Sequence, residues 1–242
     1  MMPSADERSA DDNAVFSSLV EHAIELAAQW HDGVYRKSCW RDPAFEVPEG
    51  EAVQVPVMAH VTAVAAIVQR AGWDDATVAA AYLHDVIEDM NQHGQHLRRE
   101  ALRTSLGVKV TAIVDGVTEN KYDSEGNVRP WRARKEDYVT QLRTGRPEAM
   151  AISLADKLHN LWTMNQGLEQ GDDIFSHGPN RRGLSAGPEQ QQWFHRAVLE
   201  AASAHQDERL IPLRARLEQE IERFEAVSGS PEEASVGKAE NK

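Results

Sequence analysis

The sequence contains a single cysteine, Cys39, among its 242 residues. A disulfide within the chain is therefore excluded, and so low a thiol content fits the reducing conditions of the cytoplasm. No apolar run approaches the roughly 20 residues that a transmembrane helix needs. The first residues, "MMPSADERSADDN", are polar and acidic, unlike a secretory signal or a transit peptide. We therefore expect a cytoplasmic protein that does not insert into a membrane.

Basic residues are also in short supply. The chain has 26 lysines and arginines against 39 aspartates and glutamates, which gives a formal net charge of −13. A surface that binds nucleic acid needs clustered positive charge, so nucleic acid is excluded as the expected partner. A small anionic substrate remains possible where a local group of cations or a metal ion outweighs the overall charge.

The sequence shows neither the alternation of a β-strand nor an internal repeat. Apolar residues instead recur at helical spacing in successive segments, with turn residues between them. Asp74 or Asp75 is expected to cap one helix, Gly72 to end the helix before it, and Pro147 to open another. A chain of this length can form one sizeable core. These patterns predict an all-α protein with a single helical domain.

The expected domain is flanked by two segments without regular structure. The divisions are a disordered acidic leader, a helical domain and a disordered polar tail, at residues 1–12, 13–226 and 227–242. The motifs described below lie within residues 14–165. The helices of residues 188–226 either complete the core or form the interface of a homo-oligomer. Two irregular loops, 38–55 and 120–131, contain proline, glycine and mixed charge.

The segment "LHDVIEDM" carries four ionisable groups within eight residues. On a helix, His84 and Glu88 share one face, and Asp85 and Asp89 share the adjacent one. Unpaired charge on a helix that also packs into a core is costly. A bound cation would explain the pattern, whereas an exposed acidic helix face is the alternative interpretation.

Two further apolar helices each carry one residue able to bind a metal ion. His60 interrupts "VMAHVTAVAAIV", and Asp156 interrupts "AISLADKLHNLW". Each alone has an ordinary explanation, a hydrogen-bonded core histidine or a carboxylate paired with a neighbouring cation. Together with His84 and Asp85 they form a set of nitrogen and oxygen ligands that suits Mn²⁺ or Fe²⁺ better than a structural zinc ion. Such an ion would act as a Lewis acid and activate water.

Other residues of these segments have less support. Asn160 follows Asp156 by one helical turn, so it faces the same side and is expected to bind substrate or to bond to another helix. The remaining histidines that we considered, His31, His159 and His177, are expected to be structural or surface residues.

The chain resembles the HD-domain superfamily of metal-dependent phosphohydrolases, and within it the hydrolase domain of RelA/SpoT-type proteins and the small alarmone hydrolases. The matching stretches are "AAQWHDGVYRKS", "MAHVTAVAAIV", "ATVAAAYLHDVIED", "VDGVTENK", "RKEDYVTQL" and "AISLADKLHNLWTM". The resemblance implies a helical fold and an Mn²⁺-dependent enzyme. Its reaction would remove the 3′-pyrophosphate from (p)ppGpp to give GDP or GTP and pyrophosphate.

The resemblance also assigns roles to individual residues. It places the metal ligands at His60, His84, Asp85 and Asp156, the catalytic acidic pair at Glu88 and Asp89, and the substrate contacts at Arg36, Lys37 and Asn160. From their positions beside these motifs, the expected phosphate contacts are Lys121, Arg132, Arg134, Lys135 and Lys157. For residues 132–135, a solvated helix face is the alternative.

The sequence departs from the family at two places that border the expected substrate pocket. Residues 38–55 separate Arg36 from His60 where the family has a short connection, and Val61 stands where the family has proline. The loop 120–131 has its own spacing. The alternatives are therefore a phosphohydrolase of other nucleotide specificity, acting on an adenine alarmone, NADPH or a nucleoside monophosphate, and a nucleotide-binding or antitoxin-type module.

Overall fold

The computed structural model describes residues 15–40, 46, 53–176 and 183–229. Helices dominate this part of the chain, which confirms the all-α prediction. The helices are α1 Ser18–Trp30, α2 Val57–Arg70, α3 Asp75–Tyr82, α4 Arg99–Val117, α5 Trp131–Thr144, α6 Pro147–Glu169, α7 Pro188–Ala202 and α8 Leu210–Ser228, and the strands are β1 Tyr35–Trp40 and β2 Gln54–Pro56. The predicted leader, His177, most of the loop 38–55 and the tail after Gly229 lie outside the described residues.

Several predicted helix boundaries are confirmed by their local chemistry. The Asp74 side chain accepts hydrogen bonds from the Thr77 backbone N–H at 3.0 Å and the Thr77 hydroxyl at 2.6 Å, so Asp74 caps α3. Gly72, with φ of 83°, lies just beyond α2. Pro147 opens α6, where a missing N–H costs nothing.

Helix α6 lies at the centre of the core. Residues 149–158 of this helix are buried without a break, which is the pattern of a helix surrounded by others. It packs against α2, α4, α7 and α8. Phe224, Leu217 and Ile221 of α8 are almost fully buried. The C-terminal helices therefore complete the core. Within the described residues, no helix combines the length and the apolar character needed to cross a bilayer.

The prediction that "LHDVIEDM" lies on a helix is wrong, because the helix that Asp74 caps ends at Tyr82. Residues 83–89 form successive turns in which the Val86 N–H donates to the Leu83 carbonyl at 3.2 Å. In a continued helix, the Ala81 carbonyl would accept the N–H of Asp85. Here the ring nitrogen Nδ1 of His84 lies 2.7 Å from that carbonyl oxygen instead. A side chain thus takes over a backbone acceptor and ends the helix.

The ends of the predicted loop 38–55 pair as a short antiparallel sheet. Tyr35 lies opposite Pro56 and Trp40 opposite Gln54, with an irregularity between them. The Gln54 side chain also donates to the Arg36 carbonyl at 2.8 Å. With only three residues in β2, no alternation was available to predict it. The sheet fixes the position of Arg36.

Burial of His195 on α7 predicts a pH-dependent stability. Burial lowers the pKa of His195 to about 4 from its ordinary value of 6.5. The unfolded chain therefore binds a proton at His195 more readily than the folded protein does. The free energy of unfolding consequently keeps its full value above pH 6.5 and decreases as the pH falls towards 4. His195→Gln should reduce the slope of the free energy of unfolding against pH in this range, by up to about 1.4 kcal/mol per pH unit.

Urea unfolding in EDTA between pH 4.5 and 6.5 measures this slope without a contribution from bound metal. The exposed His96 offers the matched control, and His96→Gln should leave the slope as it is in the unsubstituted chain. Equal slopes for His195→Gln and the unsubstituted protein would contradict the prediction.

Candidate metal centre and substrate cavity

The four predicted metal ligands converge at one point from three parts of the fold. His60 lies on α2, Asp156 on α6, and His84 and Asp85 on the turns after α3. The His60 Nε2 atom is 3.2 Å from Asp156 Oδ1 and 3.9 Å from Asp85 Oδ2. The His84 Nε2 atom is 3.3 Å from Asp85 Oδ1 and 4.0 Å from Asp156 Oδ1. Ligand atoms of His60, His84 and Asp156 all lie within 4.8 Å of one another.

The orientation of His84 fits a divalent cation at this point. Its Nδ1 must donate to the Ala81 carbonyl, since that oxygen can only accept. In the neutral ring, Nε2 then carries a lone pair, and this buried atom has no hydrogen-bond partner among the described residues. A lone pair that faces carboxylate oxygens needs a cation between them, and imidazole with carboxylate is an ordinary ligand set for a divalent metal.

The charge states of the two histidines agree with a site for a cation. Burial lowers the pKa of His60 to about 3, so His60 is neutral at pH 7. Burial also acts to lower the pKa of His84, but the Asp85 and Asp156 carboxylates outweigh it, and the net effect raises the pKa. The environment of His84 therefore attracts positive charge.

The two acidic residues beside the ligands occupy different environments. The Glu88 side chain is largely buried, and its Oε1 accepts the Glu119 backbone N–H at 2.5 Å. Burial raises the pKa of Glu88 to about 7. The Asp89 side chain is 46% exposed. Lys121 Nζ lies 3.3 Å from Glu88 Oε2 and 3.1 Å from Asp89 Oδ1, so one lysine contacts both acids. Of the two, Glu88 is poised to exchange a proton near neutral pH.

A cavity of about 970 Å³ opens over the ligands. Every predicted metal, catalytic and substrate residue except Arg132 lines it: Arg36, Lys37, His60, His84, Asp85, Glu88, Asp89, Lys121, Arg134, Lys135, Asp156, Lys157 and Asn160. The structure thus brings them together, although their individual roles stay predictions. Arg132 is elsewhere: it pairs with Glu136 at 2.7 Å and lies over the Trp193 ring.

The cavity wall is more positive than the protein as a whole. Six lysines and arginines and five carboxylates line it, whereas the whole chain carries an excess of 13 negative charges. Lys157 pairs with Asp156 Oδ2 at 2.5 Å, and Arg134 and Lys135 both pair with Glu119. A divalent cation would add two further positive charges. The cavity can therefore accept a polyanion.

Arg36 forms hydrogen bonds to helix α6 beside the predicted metal ligands. Its Nη2 donates to Asn160 Oδ1 at 2.7 Å, and its Nη1 lies 3.0 Å from His159 Nδ1. The Asn160 Nδ2 in turn donates to Asp156 Oδ1 at 2.5 Å. His159 also contacts His60, with 2.9 Å between the two Nδ1 atoms. The sequence predicted only a structural or surface role for His159, and the structure shows that it bridges two residues of the candidate site.

Glu119 and the part of the cavity wall formed by α7 were not predicted from the sequence. Glu119 is only 7% exposed and holds two cations with its side chain. A carboxylate directly after the apolar run "TAIVDGVT" was the available signal. Gln191, Phe194 and His195 of α7 form part of the wall, but they lie more than 25 residues beyond the last matching motif.

The chain has recognisable relatives. The family model of the HD domain matches residues 42–184, more than half of the chain. A GTP pyrophosphokinase of Streptomyces coelicolor is 33% identical over 145 residues, which are 60% of this chain and 14% of that protein. The chain therefore spans less than a fifth of the length of such relatives.

Two shorter relatives are matched over most of their length. The guanosine-3′,5′-bis(diphosphate) 3′-pyrophosphohydrolase MESH1 of Danio rerio is 28% identical over 161 residues, 66% of this chain and 76% of that protein. The solved structure of a metazoan orthologue of SpoT superposes with a TM-score of 0.59 at 23% identity, covering 86% of this chain and 96% of the other. From the family match, the fold and the arrangement of its histidines and aspartates, this chain belongs to the HD-domain family.

Proposed function

We propose that the protein is an Mn²⁺-dependent hydrolase that removes the 3′-pyrophosphate from (p)ppGpp. The observation that carries the proposal is the convergence of His60, His84, Asp85 and Asp156 beside Glu88 in a cavity with a cationic wall. The MESH1 relative is named for the same reaction. A cytoplasmic location, expected from the single cysteine, belongs to this proposal.

The four ligand residues would hold the ion between α2, α6 and the turns after α3. When bound, a divalent ion supplies Lewis acidity towards a phosphoryl oxygen and lowers the pKa of a nearby water. Neighbouring groups orient the ligand side chains. The Ala81 carbonyl orients His84, and Lys157 and Asn160 hold the two oxygens of Asp156. Such outer contacts keep ligands aligned in metalloenzymes.

Glu88 is the proposed residue for proton transfer. Its raised pKa allows it to take a proton from water and to return one to the leaving ribose oxygen near neutral pH. The Glu119 N–H fixes one of its oxygens. Asp89 is more exposed and, with Lys121, would orient water or a phosphate oxygen at the mouth of the site.

The nucleotide would lie with its base towards Arg36 and its phosphates towards the lysines. The Nη1 and Nη2 atoms of Arg36 contact His159 and Asn160, which fixes the plane of the guanidinium so that it can stack on a purine. Lys37 lies on the same strand. Lys121 and Arg134 are proposed to contact phosphate oxygens by charge-assisted hydrogen bonds.

The direct test is product analysis with Mn²⁺ over a panel of nucleotides. We expect pyrophosphate release from ppGpp, full dependence on added Mn²⁺ and complete inhibition by excess EDTA, because no described side chain replaces the Lewis acid. Ion chromatography identifies the product. Orthophosphate release from nucleoside monophosphates or NADPH would replace this proposal with a monoesterase, and binding without turnover would favour a nucleotide-binding or antitoxin-type module.

A further inference from the structure

His159 occupies a position between the two functional ends of the cavity. Its Nδ1 atom lies 3.0 Å from Arg36 Nη1 and 2.9 Å from His60 Nδ1. Arg36 belongs to the proposed nucleotide end, and His60 is a proposed metal ligand. One ring nitrogen therefore contacts a residue from each end.

The donors and acceptors of these groups indicate which ring nitrogens carry protons in the neutral rings, with the Nδ1 lone pair of His159 shared by two donors. A guanidinium has donors only, so the Nδ1 atom of His159 must accept from Arg36 and carries no proton. The His60 Nδ1 in contact with it must then be the donor. In neutral His60 the lone pair is consequently on Nε2, the atom that lies 3.2 Å from Asp156 Oδ1 at the metal centre.

A second connection runs beside the first. Arg36 Nη2 donates to Asn160 Oδ1, and Asn160 Nδ2 donates to Asp156 Oδ1. His159 and Asn160 are neighbours on α6, so this helix links one arginine to two metal ligands. An arginine held by both links presents a fixed plane to a base, and a ligand histidine held by the first presents a fixed lone pair to a metal ion.

We propose that His159 is a positioning residue that couples nucleotide binding at Arg36 to metal binding at His60. It selects the metal-binding tautomer of His60 and holds the Arg36 guanidinium with the same lone pair. The part of this inference that concerns nucleotide binding at Arg36 rests on the proposed function. The part that concerns metal binding at His60 does not. Because coupling is reciprocal, metal should strengthen nucleotide binding by the factor by which nucleotide strengthens metal binding.

Two substitutions distinguish the effect of the Nδ1 lone pair from the effect of the side-chain volume. His159→Asn places an amide oxygen where Nδ1 stands and keeps an acceptor for both partners. His159→Phe keeps a ring of similar shape and removes the acceptor. In titrations of Mn²⁺ against a competing chelator without nucleotide, His159→Phe should weaken Mn²⁺ binding by about 10-fold to 100-fold, as for other outer-shell partners of metal ligands. His159→Asn should stay close to the unsubstituted protein.

The coupling is measured by ppGpp binding with and without Mn²⁺ in the Glu88→Gln background, which prevents turnover. We expect Mn²⁺ to increase ppGpp affinity in the parent and in His159→Asn, and to increase it by a smaller factor in His159→Phe, where the link through Asn160 to Asp156 remains. Circular dichroism and thermal unfolding in EDTA verify that the variants are folded.

The inference is overturned if folded His159→Phe binds Mn²⁺ as tightly as the parent, or if His159→Asn is as impaired as His159→Phe. Absence of ppGpp binding to the parent would instead contradict the proposed function. The Mn²⁺ titration would still test the effect of His159 on metal binding. Failure of this inference and failure of the proposed function are therefore distinguishable.

Discussion

Asp85→Ala is expected to abolish metal binding and, with it, the hydrolysis of ppGpp. Asp85 offers Oδ1 to His84 Nε2 at 3.3 Å and Oδ2 to His60 Nε2 at 3.9 Å, so it faces both imidazole ligands. Its side chain is 27% exposed, and its loss leaves no large cavity in the core. Since loss of an outer-shell partner alone costs about 10-fold to 100-fold in metal affinity, removal of a direct ligand should cost more.

Thermal unfolding gives a readout of this change that needs no substrate. A ligand at 100 times its Kd stabilises the folded state by about 2.7 kcal/mol. Mn²⁺ should therefore raise the melting temperature of the unsubstituted protein and leave that of Asp85→Ala unchanged. The matched control is Asp75→Ala, which removes an exposed aspartate at the start of α3. An Mn²⁺-dependent shift that persists in Asp85→Ala would exclude Asp85 as a ligand.

Glu88→Gln is expected to retain the metal and lose turnover. The amide keeps the size of the side chain and an acceptor for the Glu119 N–H, but it cannot transfer a proton. Loss of a general acid or base typically costs about 10²-fold to 10⁴-fold in rate, so kcat should fall by this amount with little change in Mn²⁺ affinity. Single-turnover assays of pyrophosphate release measure the chemical step.

Asp89→Asn is the natural comparison for Glu88→Gln. Asp89 shares Lys121 with Glu88, but its side chain is about half exposed, so its substitution should reduce the rate less. Full turnover in Glu88→Gln, or a larger defect in Asp89→Asn, would exchange the roles that we propose for the two acids.

The convergence of His60, His84, Asp85 and Asp156 could be predicted from sequence, because ionisable residues are unexpected in such apolar surroundings. His60 and Asp156 stand in helices that are otherwise apolar, and a core element does not carry such residues without a partner. The structure brings them within 3.2 Å of each other. The expected proximity did not depend on the exact geometry, and the four residues lie together even though the segment with His84 and Asp85 is not the predicted helix.

The turn at residues 83–89 could not be predicted from periodicity. The apolar pattern of Leu83, Val86 and Ile87 is the same for a helix as for turns whose apolar residues anchor them in the core. What ends α3 is the contact of the His84 ring with the Ala81 carbonyl, and periodicity does not show which hydrogen-bond partner a polar side chain will take.

Glu119 and His159 were missed for a different reason. Their roles depend on partners that are distant in sequence: His159 contacts residues 99 and 123 positions away. The charge of Glu119 is explained only by Arg134 and Lys135, which α5 brings to it from 15 and 16 residues further along the chain. A single sequence does not state which charges will meet.

The pairing of the cavity cations has a consequence for selectivity. Lys121, Arg134, Lys135 and Lys157 each already hold a carboxylate. An anion that enters the cavity must compete with these carboxylates for the cations. A singly charged anion can replace only one ion pair, so it gains little binding energy. A ligand with several phosphate charges can engage a number of the cations at once, together with a divalent ion. Under the proposed function, we therefore expect the internal ion pairs to favour ligands with several negative charges over singly charged anions, whichever base the ligand carries.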